Sequence, residues 1–240
     1  MPTQIQKLEA HAAHLLDAFI QLRERYAMLE PMLFSKTVTR ERGSGQQARG
    51  FRVLKHSLFL SCAQDIAKLT LDDDEKTPSL SNLVHALTDA TVQTVLRERF
   101  AIWKIPSIEE ETELEVIEAL RRMEQREETE RRSQFDQLYC EATDLWAQLS
   151  TSKTLKAFRT VRDKVSAHTE VKFAIDKYQF VDVGTLGIKW SDLRTTIERM
   201  QKLVELVGLL IRNAGFAWDI LDDQLAKASQ GFWASPPADC

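Results

Sequence analysis

Glycine and proline are scarce in this chain, eight and six residues in 240. Turns must therefore be few and elements long, which points to helices rather than many short strands. Cysteine is scarcer still: Cys62, Cys140 and Cys240 stand far apart. That spacing excludes a disulfide scaffold and a zinc site of the usual kind, and it implies reduced thiols. No apolar run reaches the roughly eighteen residues of a membrane span; the longest, around residues 204–211, is interrupted by Glu205. Met1-Pro2-Thr3-Gln4 lacks a basic flank followed by an apolar run, so no signal peptide and a cytoplasmic location are expected. There is no excess of positive charge either, and a net charge of -4 gives no global reason to expect nucleic acid or an anionic membrane.

What is present is ordinary for a soluble domain: hydrophobic residues are 43% and charged residues 28%, enough apolar content to argue against disorder. Leu8, Ala12, Leu15, Phe19, Leu22, Tyr26 and Leu29 recur at spacings of three and four, predicting a first helix over residues 4–30 that stops near Pro31. Residues 35–50 hold Gly43, Gly45 and Gly50 with Arg40, Arg42 and Arg49, and read as a mobile basic linker. A second helix is predicted over 51–71, ended by the acidic residues 72–75. Thr77 and Pro78 then open a third, running to about residue 103. A long charged helix follows over 108–149, nearly all charged between Arg121 and Arg132, so that stretch projects into solvent or lies along a surface. A fifth helix is expected over 152–169 and a less regular stretch with a loop at Gly184 and Gly187 after it. Ser191 then caps a last helix, extending as far as residue 225. The expectation is an all-α bundle of five to seven helices. It divides into an accessory N-terminal helix (1–34), a basic linker (35–50), a main bundle (51–228) and a loose tail (229–240).

Several motif-like features carry no chemistry. Gly45 and Gly50 are spaced as in a phosphate-binding loop, but Phe51-Arg52 follows and no strand precedes, so the parts of that mechanism are missing. The acidic residues 72–75 lack the alternate ligand spacing and distal glutamate of a calcium loop. His11 and His14 are three apart without an identifiable third ligand, which favours surface histidines over a metal site. His56 and His85 stand alone beside apolar stripes and read as core or boundary residues. No metal and no cofactor are expected.

The fifth helix is different. Leu155, Phe158, Val161 and Val165 form its apolar stripe. Arg162 and His168, three residues before and after Val165, then fall about 60° to either side of that stripe in an α-helix. A guanidinium and an imidazole at the edges of a packing face are costly as inert core. The alternative is structural: an arginine that pairs with Asp163 and a histidine satisfied by a backbone carbonyl. Charge distribution favours a site. Residues 151–177 carry seven Lys/Arg against three Asp/Glu, and residues 40–56 carry Arg40, Arg42, Arg49, Arg52 and Lys55 against Glu41. Each is a local +4 in a protein of -4, the footprint an anionic backbone needs.

Arg162-Asp163-Lys164-Val165-Ser166-Ala167-His168 resembles the Arg-x(4–6)-His signature of the HEPN superfamily, in which an acidic, amide or histidine residue typically follows the arginine. The helix at 51–71, the acidic break, Pro78 and the charged helix before the motif are similar to its abortive-infection U-type branch, over about residues 51–215. The resemblance implies a helical bundle that dimerises and pools two copies of the motif at the two-fold axis. It also implies, for many members, metal-independent endoribonuclease activity in toxin–antitoxin or phage-defence systems. On that basis His168 would be general acid or base and Arg162 the phosphate-stabilising group. Asp163 would orient Arg162 or the opposite subunit's histidine, and Arg159, Lys164 and Lys172 would contact RNA. The expected partners are RNA, a second copy of the chain and an antitoxin protein, with no membrane.

Two departures matter. Glu170 occupies the position at which some family toxins carry a tyrosine modified by a partner nucleotidyltransferase, so that mode of neutralisation is not supported. The chain is also longer than a minimal family domain. Some members bind nucleotides or act as scaffolds without cleaving. A non-catalytic helical interaction or nucleotide-binding protein of a defence operon is therefore the second reading, and an enzyme acting on a small nucleotide the third.

Overall fold

A computed structural model describes residues 3–106, 108–166, 171–174, 177–180 and 186–234. The chain is all-α in class, with nine α-helices and one short hairpin among the described residues. Helix α1 (Gln4–Phe34) starts at Thr3, whose hydroxyl accepts the Gln6 amide while the Gln6 side chain accepts the Thr3 amide, a closed capping box. All seven apolar positions of the expected stripe are buried, and Met32 extends it. The helix does not stop at Pro31. A proline removes the amide that would bond the carbonyl four residues back, leaving Ala27 without its helical donor. The Ser229 hydroxyl supplies that bond at 2.8 Å, and Trp233 Nε1 donates to the next carbonyl, that of Met28, at 3.1 Å. The last helix thus satisfies what the proline leaves bare, and α1 runs one further turn.

The basic linker is not a loop. Ser35 caps a short helix, α2 (Lys36–Arg42), and a 3-10 turn (Gly45–Gln47) leads into α3 (Ala48–Leu71). Met32, Val38 and Phe51 bury together beneath it, each apolar side chain contributing roughly 1.5–3 kcal/mol. The stretch read as one third helix is two: α4 (Leu80–Leu87), capped by Ser79, and α5 (Ala90–Ala101), whose Asp89 accepts the Thr91 and Val92 amides. Helix α6 (Leu114–Ser150) has 37 residues and is about 56 Å long. Its charged middle lies along α5, with Arg132 bonded to Glu98 at 2.8 Å and Arg97 to Asp136 at 2.8 Å.

Helix α7 (Lys153–Val161) follows a Ser152 cap and passes into a π-helical turn (Arg162–Ser166). Strands β1 (Val171–Ala174) and β2 (Lys177–Phe180) pair antiparallel, Val171 opposite Phe180, where the sequence suggested only irregular chain. The expected last helix also divides. Helix α8 (Trp190–Arg212) ends at Asn213, in the left-handed region at φ 50°, and α9 (Trp218–Trp233) follows. Asparagine tolerates that conformation better than most side chains and closes helices with it.

Helix α1 packs against α3 and α8, α6 against α5 and α8, and α7 against α3. One hydrophobic core joins buried side chains from α1, α3, α4, α5, α6, α7, α8 and Trp218 of α9. The first helix, taken from sequence as an addition, therefore shares the central core. No helix among the described residues is long and apolar enough to cross a membrane.

Candidate functional site

Helix α7 presents one apolar face and one charged face. Leu155, Phe158 and Val161 are fully buried, while Lys153, Lys156 and Arg159 lie on the outer side with Arg159 exposed. These are three of the four positions of the predicted stripe, the Val165 side chain lying outside what is described, and they anchor the helix against α3. The α-helix ends with Val161, so the motif does not continue as α-helix to residue 169. In the wider π-turn each residue advances less around the axis. Over five residues the chain is rotated by roughly a quarter turn from its α-helical course. The 60° placement of Arg162, derived for an α-helix, therefore does not apply here. The turn also packs against α3, and π-turns recur where a helix must aim side chains for function.

Arg162 opens the turn. Its Nε donates to Asp163 Oδ1 at 2.7 Å, and its side chain is 24% exposed against 42% for Asp163. The other Asp163 oxygen, Oδ2, lies 3.6 Å from Arg159 Nε. One carboxylate thus holds two guanidinium groups, one half-buried and one exposed. A charge-assisted bond of this length fixes orientation as well as charge. Lys164 is half-buried in the same turn. Lys172 belongs to β1, its backbone opposite Gln179. His168 lies outside the described residues, as does Glu170. Of the six expected site residues, the structure thus brings Arg159, Arg162 and Asp163 together.

Near the start of α8, Trp190 packs edge-on against Phe59 of α3 at 5.1 Å, and Lys55 Nζ lies 5.0 Å from the centre of its ring. Two of the histidines elsewhere differ from expectation. His56 and His85 are both exposed, so neither is a core residue. His11 is half-buried and His14 exposed; burial, then Lys7, then His14 hold the His11 imidazole below its ordinary value. His11 and His85 line one open pocket of about 490 Å³ between α1 and α4. No group of three potential metal ligands occurs among the described residues. Of the thiols, Cys62 is buried and Cys140 exposed; burial pushes Cys62 up to about 12, with Asp65 adding to the shift.

Sequence reasoning missed a second feature, on the other basic segment. The 3-10 turn, the start of α3 and the end of α9 enclose a groove of about 450 Å³. Residues 40–56 were visible as basic, but nothing local shows that α9 brings Phe232 and Trp233 beside them.

An all-α bundle with an Arg-Asp pair at the end of a basic helix is the arrangement expected of the HEPN class. The AbiU2 family of HEPN proteins matches residues 5–232, and the chain belongs to that family. The match spans α1 through nearly all of α9, wider than the 51–215 over which the motif-based resemblance was drawn. No curated protein and no solved structure matches the chain.

Proposed function

We propose that the protein is a dimeric, metal-independent endoribonuclease of a phage-defence or toxin–antitoxin system. The observation that carries the reading is the half-buried Arg162 guanidinium held by Asp163 at 2.7 Å, on a basic helix, in a member of the HEPN AbiU2 family.

RNA carries its own nucleophile. The 2′-hydroxyl attacks the adjacent phosphorus, a 2′-oxygen–phosphorus bond forms, and the bond to the 5′-oxygen breaks. The products are a 2′,3′-cyclic phosphate and a 5′-hydroxyl. The protein needs only to take the 2′-hydroxyl proton, return one to the leaving oxygen, and stabilise charge on the phosphate between those events. His168 is assigned the proton transfers, because imidazole changes charge near neutral pH. In Arg162 the Nε–H is committed to Asp163, and the Nη groups are the donors assigned to the phosphate oxygens. Arg159, Lys164 and Lys172 hold the flanking backbone. A two-fold dimer supplies a second histidine, so acid and base are different residues. An antitoxin protein is the expected regulator.

His168→Ala and Arg162→Ala are each expected to abolish cleavage while the far-ultraviolet circular dichroism stays helical. Cleavage should survive chelation and leave cyclic-phosphate ends. Full activity in the His168→Ala protein sinks the reading. One observation favours a non-catalytic interaction protein instead: Asp163 also approaches Arg159, a closed charge cluster that serves structure equally well. In that case the purified protein leaves RNA intact and the two substitutions lower stability.

A further inference from the structure

We infer that the groove between the 3-10 turn, the start of α3 and the end of α9 is an anchor for a base of single-stranded RNA, separate from the Arg162 site. The inference rests on the ribonuclease reading and adds to it a second point at which the strand is held.

The groove has an aromatic wall and a polar rim. Arg42, Gln46, Gln47, Leu54, Phe232 and Trp233 line its volume of about 450 Å³. Trp233 is fixed on three sides: its Nε1 donates to Met28 O at 3.1 Å, its ring meets Phe51 edge-on at 6.1 Å, and Phe232 meets it edge-on at 4.9 Å. Phe232 is therefore braced, yet 59% exposed. A braced ring with an uncovered face costs little further ordering when a flat partner stacks on it. The rim supplies a guanidinium and two primary amides, which offer both donors and acceptors to the edge of a base.

Charge decides between occupants. Arg23, Arg25, Arg97, Arg99, Arg132 and Arg194 each meet a carboxylate across the bundle. Arg40, Arg42, Arg49 and Arg52 meet none among the described residues, and three of them are exposed. Among the described residues Arg52 bonds only the Ala48 carbonyl of its own helix, at 3.4 Å. Arg42 beside an exposed ring, in a segment whose other arginines have no carboxylate partner among the described residues, matches a strand carrying one phosphate per nucleotide and one flat base to stack. Basic grooves with stacking aromatics are how sequence-tolerant single-strand binding is built. A single nucleotide has too few phosphates to engage arginines spread over residues 40–52.

The test uses the intact chain carrying His168→Ala, and fluorescence anisotropy with a labelled oligouridine of about twelve nucleotides. Adding Phe232→Ala should weaken binding roughly 5- to 150-fold, with unchanged circular dichroism; Phe232→Tyr should restore it. Arg42→Ala should reduce the slope of log affinity against log salt by about one. With an abasic strand of equal length, Phe232 and Phe232→Ala proteins should bind alike. Equal affinity of the Phe232 and Phe232→Ala proteins for oligouridine overturns the inference and leaves the ribonuclease reading intact. So does a Phe232→Ala loss that persists on the abasic strand, or one confined to self-association in sedimentation. So does tight binding of uridine monophosphate that matches the oligonucleotide. RNA binding that depends on Phe232, together with no cleavage by the chain that retains His168, supports the groove and removes the nuclease. Absence of any RNA binding overturns both.

Discussion

Two segments carry the same local charge of +4 and treat it differently. In the 151–177 segment, Asp163 ties Arg162 at 2.7 Å and draws Arg159 to 3.6 Å, above a face whose Leu155, Phe158 and Val161 are sealed in the core. In the 40–56 segment the arginines lack carboxylate partners among the described residues, and the side chains beside them, Val53 and Leu54, are 61% and 40% exposed. The first arrangement holds a cation in one place, as chemistry on a single phosphate requires. The second leaves cations adaptable, as contact with a variable backbone requires. Equal charge counts thus conceal a difference that only the partners reveal.

The strongest way to break the comparison is at Arg162. Arg162→Ala should abolish detectable RNA cleavage, a loss of at least about 10²–10³-fold in single-turnover rate, whereas Arg52→Ala should leave that rate within about twofold at saturating RNA. Equal losses would show that the two segments do one job. Next in size is the difference beneath them. Phe158→Ala should cost about 3–5 kcal/mol of unfolding free energy in urea, while Leu54→Ala, at a half-open position, should cost under about 1 kcal/mol. Asp163→Asn keeps the shape but removes the charge that fixes Arg162. It should cut cleavage by about tenfold with little change in RNA affinity, and a larger loss of affinity than of rate would place Asp163 in RNA binding instead. The smallest effect is at the latch of the last helix: Ser229→Ala should cost about 1 kcal/mol, read as a lower urea midpoint with unchanged slope.

Much of this was legible from residue order. The α1 stripe and Leu155, Phe158 and Val161 of the α7 stripe are buried as their spacing requires, because periodic apolar faces have few other places to go. The acidic break after α3 is also real: Asp72 and Asp74 fold back to accept the Asp74 and Lys76 amides, the turn chemistry that such residues favour. Two departures share a cause, namely decisions made by distant residues. Pro31 fails to end α1 because Ser229 stands over the vacated carbonyl. The glycine-bearing linker is helical because Met32 and Phe51 give Val38 an apolar bed. The breaks at Asp89 and Asn213 escaped notice because one polar residue inside a helical pattern looks like an ordinary outward position. The motif itself was visible as residue types and spacing. Its π-turn was not, since nothing in Arg162-Asp163-Lys164 differs from good α-helical sequence.

The bond from Ser229 to the Ala27 carbonyl spans 202 positions, and during synthesis that distance is also an interval of time. A ribosome making roughly 5–20 residues per second will have completed the first helix roughly ten seconds or more, and the motif at least about three seconds, before residue 229 exists. Throughout that interval water must stand in at the Ala27 carbonyl, and the wall of Phe232 and Trp233 has not been made. The basic segment at residues 40–56 acquires its aromatic companion last, after the motif helix has been translated, so a nascent chain lacks a groove wall that the finished one has.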